Sequence, residues 1–192
     1  MPQIVLASTS KYRRELLARL GLPFEVAAPG VDEVALPNET PQGTARRLAE
    51  AKARAVAAGF PRAIVIGSDQ VAVLEGTTLG KPGNYANALR QLRAMRAKEV
   101  VFHTALCVYN TASARAETRV VPYYVRFRNY SDAQIEHYLQ REQPYDCAGS
   151  ARCEGLGIAL IAEMRGEDPN ALIGLPLIAL TEMLAAQGVQ VV

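Results

Sequence analysis

The run Ala63-Ile64-Val65-Ile66-Gly67 constrains the fold more than any other segment, because it has no polar side to turn toward water. A strand apolar on both faces belongs in the middle of a parallel sheet with helices above and below it. The rest of the chain reads accordingly. A strand at 4–7 leads into a helix marked by Leu16, Leu17 and Leu20 and stopped by Gly21 and Pro23. An extended piece at 24–28, an irregular loop at 29–41 and a helix over 44–58 precede the central strand. Beyond it, Glu75-Gly76 reads as a hairpin turn between 71–74 and 77–79, followed by a helix over 85–98 and long strands over 100–110 and 116–128. Ser131 and Gln134 form a capping box opening a helix that runs to about Glu142. A strand at 158–161, a turn at 166–170 and a last helix with Pro176 in its first turn complete the pattern. Helices and strands interleave, so the expected fold is α/β: a mixed sheet flanked by helices, parallel first and antiparallel in the middle. All 192 residues form one domain in this reading. The stretch 83–141 forms a second lobe, and small-molecule sites favour the cleft between lobes.

Ser8-Thr9-Ser10-Lys11-Tyr12-Arg13-Arg14 lies where the first strand passes into the first helix. Two arginines in a helix's first turn oppose the local field, since a helix N-terminus carries about half a positive charge. Loose N–H groups, hydroxyls and two guanidiniums together suit phosphate oxygens. The same stretch also reads as an ordinary solvated first turn with Ser10 as N-cap.

Composition narrows the partners. Twenty-one Lys and Arg against 19 Asp and Glu give a net charge of only +2, which argues against binding along a nucleic-acid backbone. No run approaches the roughly 20 apolar residues needed to span a bilayer, and no leader pattern is evident, so a cytoplasmic location is expected. Three cysteines and two histidines match no disulfide framework or structural zinc spacing, leaving a hard, carboxylate-bound ion as the expected metal.

Asp69 follows the most apolar strand, where ligands bind in open α/β sheets, and is the best single catalytic candidate; it also reads as a turn aspartate. Glu33 lies on a loop, Lys52 on a charge-rich helix where solvation is the default, and Lys81 between Gly80 and Pro82, which fix its direction. Cations for a polyphosphate and acids for a divalent ion and a water describe phosphoanhydride hydrolysis, with Asp69 accepting a proton or holding the ion. No P-loop signature is present.

Ala7-Ser8-Thr9-Ser10 with Arg13-Arg14, Val31-Asp32-Glu33, Ala51-Lys52-Ala53, Gly67-Ser68-Asp69-Gln70, Gly80-Lys81-Pro82, Ala148-Gly149-Ser150, and Asp168-Pro169-Asn170 through Gly174-Leu175-Pro176 occur in order along nearly the whole chain. In these motifs the chain resembles the Maf family of nucleoside triphosphate pyrophosphatases. The resemblance implies an elongated mixed α/β fold with a deep cleft, often dimeric. It also implies a cytoplasmic house-cleaning enzyme that uses a divalent cation, Mg or Mn, to release pyrophosphate from a non-standard nucleotide. By motif position Asp69 would be the catalytic acceptor, with Ser8, Arg13, Arg14, Glu33, Lys52 and Lys81 around triphosphate and metal.

Members resembling the dTTP/UTP pyrophosphatases carry Arg at position 12 and Gln at 154. Those resembling the 7-methyl-GTP pyrophosphatases carry an aromatic residue at 12, Gln at 70 and Glu at 154. This chain has Tyr12, Gln70 and Glu154. A π-face attracts the cationic 7-methylated base, and a carboxylate accepts from guanine's N–H edge. Lys11 stands where family members often have Pro, and Tyr12 where the 7-methyl-GTP group is associated with Trp. The alternatives are a dTTP/UTP pyrophosphatase and a non-catalytic nucleotide-binding regulator of cell division.

Overall fold

The computed structural model describes residues 2–192 and opens with three strands, β1 (Gln3–Ala7), β2 (Glu25–Ala27) and β3 (Ala63–Leu74). β1 pairs parallel with β2 and with β3, its register to β3 running from Gln3 opposite Ala63 to Ala7 opposite Gly67. Parallel neighbours require crossovers, which contain α1 (Lys11–Ala18) and α2 (Pro41–Ala57). Four further strands, β4 (Thr77–Leu79), β5 (Glu99–Asn110), β6 (Arg115–Phe127) and β7 (Ile161–Gly166), complete a sheet ordered β2-β1-β3-β5-β6-β7, with β4 on β3. The β3–β4 and β6–β7 pairs are antiparallel, so the sheet is mixed as expected. Between β3 and β4, Glu75 and Gly76 both take positive φ (48° and 81°), as a two-residue hairpin turn matched to strand twist requires. The remaining helices are α3 (Tyr85–Met95), α4 (Asp132–Glu142), α5 (Pro169–Ile173) and α6 (Leu177–Ala186).

The chain divides into two compact units: Met1–Gln70 with His103–Val121 and Glu167–Val192, and Val71–Phe102 with Pro122–Gly166. The stretch 83–141 is thus shared between them, because 103–121 belongs to the first. The first unit's core gathers Ile4 and Leu6 of β1, Leu16 and Leu17 of α1, Ile64 and Ile66 of β3, and Leu180 and Leu184 of α6. In the second unit α3 buries Leu92 and Met95 while α4 buries Ile135 and Leu139, and Tyr130 Oη donates to the Leu92 carbonyl at 2.8 Å.

Several boundaries differ from the sequence reading, each for a local reason. The central strand does not stop at Gly67 but continues to Leu74, so Asp69 is a mid-strand residue, two positions past the last β1 pairing. α2 begins at Pro41 rather than 44, since Thr40 caps it by accepting from the Gly43 N–H and Pro41 suits the first position. α3 ends at Met95, where Arg96 leaves helical geometry and Ala97 adopts φ 57°. The expected strand at 158–161 is instead a 3-10 segment, Leu156–Leu160, with β7 starting at Ile161. A loop anchored by the Leu156 N–H on Glu142 leads into that segment. The turn at 166–170 becomes α5, because Asp168 accepts from the Asn170 N–H at 2.8 Å and starts a helix. The capping box at Ser131 and Gln134 is present, with α4 ending at Glu142.

Gly67 sets the spacing between α2 and β3. A Cβ there would run into the Ala49 carbonyl and come within 2.8 Å of the Ala53 nitrogen, all backbone that cannot swing aside. Gly67→Ala should cost roughly 1–3 kcal/mol of stability by overpacking, measured by urea unfolding. An unchanged midpoint would show that α2 can retreat freely.

Candidate active site

The first helix entry is built as the local chemistry demands. Ser8, buried just past β1, accepts from the Ser10 N–H at 3.1 Å, and Ser10 Oγ caps α1 by accepting from the Arg13 N–H at 3.4 Å. Arg13 turns back to donate from Nε to the Gly174 carbonyl at 2.9 Å, whereas Arg14 is exposed. Burial lowers the pKa of Arg13, opposed by Asp69 and Glu33, and a guanidinium remains charged under such a shift.

The chemical centre lies between α2 and β3. With the helix seated against Gly67, Lys52 is buried rather than solvated, only 4% exposed, and its Nζ stands 2.6 Å from Asp69 Oδ1 and 2.6 Å from Glu33 Oε1. Asp69 is 6% exposed. Burial raises its pKa above the ordinary carboxylate value; Lys52 and then Arg13 pull it back, and Glu33 adds to the rise. A carboxylate held this way is a stronger base than one in water. Glu33 is exposed on the loop before α2, and that loop is tethered farther on through Glu39. Glu39 accepts from Arg47 Nε at 2.7 Å, Thr44 Oγ1 at 2.9 Å and the Leu36 N–H at 3.1 Å, contacts that lower its pKa to about 2.

The neighbours of Asp69 on β3 brace the segment around α5. Ser68 Oγ lies 2.8 Å from both the Ala105 and the Gly174 carbonyls, so one hydroxyl hydrogen serves two acceptors. Gln70 Nε2 donates toward Thr104 Oγ1 at 2.9 Å, the Ala171 carbonyl at 2.9 Å and the Leu172 carbonyl at 3.0 Å. Asp168, 2% exposed, caps α5 and through Oδ2 accepts from the Ile178 N–H at 2.7 Å, tying the start of α6 to it. The Asp168 to Pro176 motif therefore frames the strand that carries Asp69. Ser68, Thr104 and Asp168 are additions to the site residues read from sequence. Ser68 and Asp168 were visible as motif members, but Thr104 carries no local signal.

Tyr12, half-buried on α1, carries the Lys11 ammonium 4.8 Å from its ring centroid, an attraction of the kind expected for a cationic base. Lys81 and Glu154 belong to the second unit, and both are exposed. Gly80 accepts through its carbonyl from Gln91 Nε2 at 3.0 Å and from the Gly149 N–H at 3.4 Å, while Pro82's carbonyl accepts from Asn87 Nδ2 at 2.8 Å. The Ala148-Gly149-Ser150 motif thus fixes the backbone on which Lys81 stands. Glu154 Oε1 lies 3.3 Å from Arg152 Nε.

Comparison with known proteins follows the same lines. Residues 3–187 match the Maf family, described as Maf-like protein. The 7-methyl-GTP pyrophosphatase of Methylobacillus flagellatus is 62% identical over 192 residues, 100% of either chain. That of Nitrosospira multiformis is 60% identical over 99% of this chain and 96% of its own, and that of Nitrosococcus oceani 60% over 97% and 94%. The solved structure of the Staphylococcus aureus Ham1 protein aligns at 16% identity over 66% of this chain and 72% of its own with a TM-score of 0.46, too distant to inform the site. With ordered motifs, a match across nearly all of its length and full-length relatives at this identity, the chain belongs to the Maf family.

Proposed function

We propose that this chain hydrolyses 7-methyl-GTP to 7-methyl-GMP and pyrophosphate. The observation that carries the reading is the buried Asp69, fixed by Lys52 beside Glu33, in a chain about 60% identical to relatives named for that reaction. Arg13, Arg14, Lys52 and Lys81 bind the phosphates, and the hydroxyl and N–H groups of the Ser8 to Ser10 segment add donors. A water oxygen attacks the α-phosphorus as the α–β bridging P–O bond breaks, and the bridging oxygen leaves with pyrophosphate. Asp69, with Oδ1 held by Lys52, takes the water's proton on its other oxygen, a task its raised pKa suits.

Glu33 and Asp69 offer oxygen donors only, a hard-ligand set that would suit Mg or Mn, Asp69 serving the ion where it does not serve the proton. When bound, the ion supplies neutralisation of phosphate charge and acidification of water. Among the described residues no cluster of three or more His, Cys, Asp or Glu side chains forms a metal cage.

For selectivity, the Tyr12 ring faces the cationic base and Glu154 accepts from its N–H edge, with Gln70 positioned through its hold on α5. The setting in this reading is the cytoplasm. No helix among the described residues is long and apolar enough to cross a membrane. The partners are the small nucleotide, no long nucleic acid, and a second copy of the chain as in many family members.

Pyrophosphate release measured with Mg or Mn across 7-methyl-GTP, GTP, UTP, dTTP and CTP should favour 7-methyl-GTP. Preference for UTP or dTTP would keep the chemistry and reject the substrate, and binding without release would indicate a sensor. Asp69→Asn should lower turnover by roughly 10²–10⁴-fold with substrate still bound; unchanged turnover would remove Asp69 from the mechanism. The base works ionised, so activity falls as pH drops through its raised pKa. Replacing Lys52 by Met removes the largest influence holding that pKa down, and the acid limb of kcat/KM should move to higher pH. An unmoved limb would mean that another group titrates.

A further inference from the structure

Within the second unit, the loop bearing Glu154 is wrapped around one carboxylate. Glu142, the last residue of α4, keeps its side chain only 9% exposed, accepts from Arg152 Nη1 at 2.9 Å through Oε1 and from the Leu156 N–H at 2.8 Å through Oε2. A Cβ on Gly155 would lie 2.6 Å from Glu142 Oε1, so a larger residue there would have to displace that carboxylate. The Arg152 N–H donates to Tyr138 Oη at 3.0 Å, and that hydroxyl donates to the Ser150 carbonyl at 3.2 Å. Arg152 is therefore fixed at its backbone and at one arm of its guanidinium. From that fixed base its Nε reaches Glu154 Oε1 at 3.3 Å.

The Arg152–Glu154 pair is about one-third exposed at both ends, a setting in which ion pairs add little stability. What a rigid guanidinium gives instead is direction. An unpaired glutamate on a loop samples many rotamers, and accepting from two adjacent N–H groups of a guanine edge requires one of them. A planar guanidinium also fixes the directions of its N–H groups toward the two carboxylates, whereas an ammonium is a point charge on a flexible stem and sets no such angle.

We propose that Arg152 is a specificity-positioning residue that acts through Glu154, relaying the buried Glu142 anchor to the carboxylate that reads the base. The inference rests on the reading that Glu154 addresses the guanine edge. Binding is therefore the measurement, because it is independent of turnover. Calorimetric titration of 7-methyl-GMP and, separately, of pyrophosphate would be run on the native chain, Arg152→Lys, Glu154→Gln and the double variant.

Arg152→Lys retains the charge beside Glu142 and so the fold, which thermal melting would check. It should weaken 7-methyl-GMP by about tenfold while leaving pyrophosphate, which has no base, unchanged. In the Glu154→Gln background the same change should have no further effect, because its route to the ligand is already cut. Equal weakening of both ligands, or the same loss with Glu154 already replaced, would assign Arg152 a structural role and overturn the proposal. If Glu154→Gln itself leaves 7-methyl-GMP binding intact, the assumed role of Glu154 falls, and this inference with it.

Discussion

A buried ammonium shared by two carboxylates is the constraint on which the first unit's site depends. Burying one charge costs several kcal/mol unless it is matched, so the buried Lys52 and Asp69 need one another, and the exposed Glu33 adds a second acceptor. The match is possible only because α2 lies against the backbone of β3, and it lies there only because Gly67 has no side chain. One missing methyl group thus links the packing of a crossover helix to the basicity of a carboxylate.

A second set of contacts keeps β3 from shifting under that charge. Ser68 and Arg13 meet at the Gly174 carbonyl, and Gln70 with Thr104 meets the Ala171 carbonyl, so the residues flanking Asp69 are both committed to backbone acceptors around α5. Such bonds confer little net stability each, yet leaving any of these carbonyls unmet would be costly. The result is a strand that holds its central acid in one orientation before any ligand arrives, which is what a proton acceptor requires.

The alternation of strands and helices was legible because it depends on periodicity, and so were caps such as Ser10 and Ser131, whose chemistry is local. Asp69, Lys52 and Glu33 were each identifiable through their motifs, and the family resemblance implied that they share one site; the packing that brings Lys52 to Asp69 was not legible. It depends on the fit at Gly67, a contact between residues 14 to 18 positions apart. The end of β3 is not legible locally because a Ser-Asp-Gln run looks like a turn; its polar side chains are satisfied by tertiary partners such as Lys52, Gly174 and Thr104. The 3-10 segment at Leu156–Leu160 was hidden for the same kind of reason, since the loop entering it is held by Glu142, a residue from another element.

The tether at Glu39 separates two kinds of acid response. Its carboxylate has a pKa near 2, far below its unfolded value, so its stabilising effect is full above the unfolded pKa and is lost progressively as pH falls from there through about 2. Asp69 is shifted the other way and takes up its proton while the tether is still charged. On acidification Asp69 is therefore the first of the two to lose its charge, and the Glu39 contacts that moor the loop keep theirs longer.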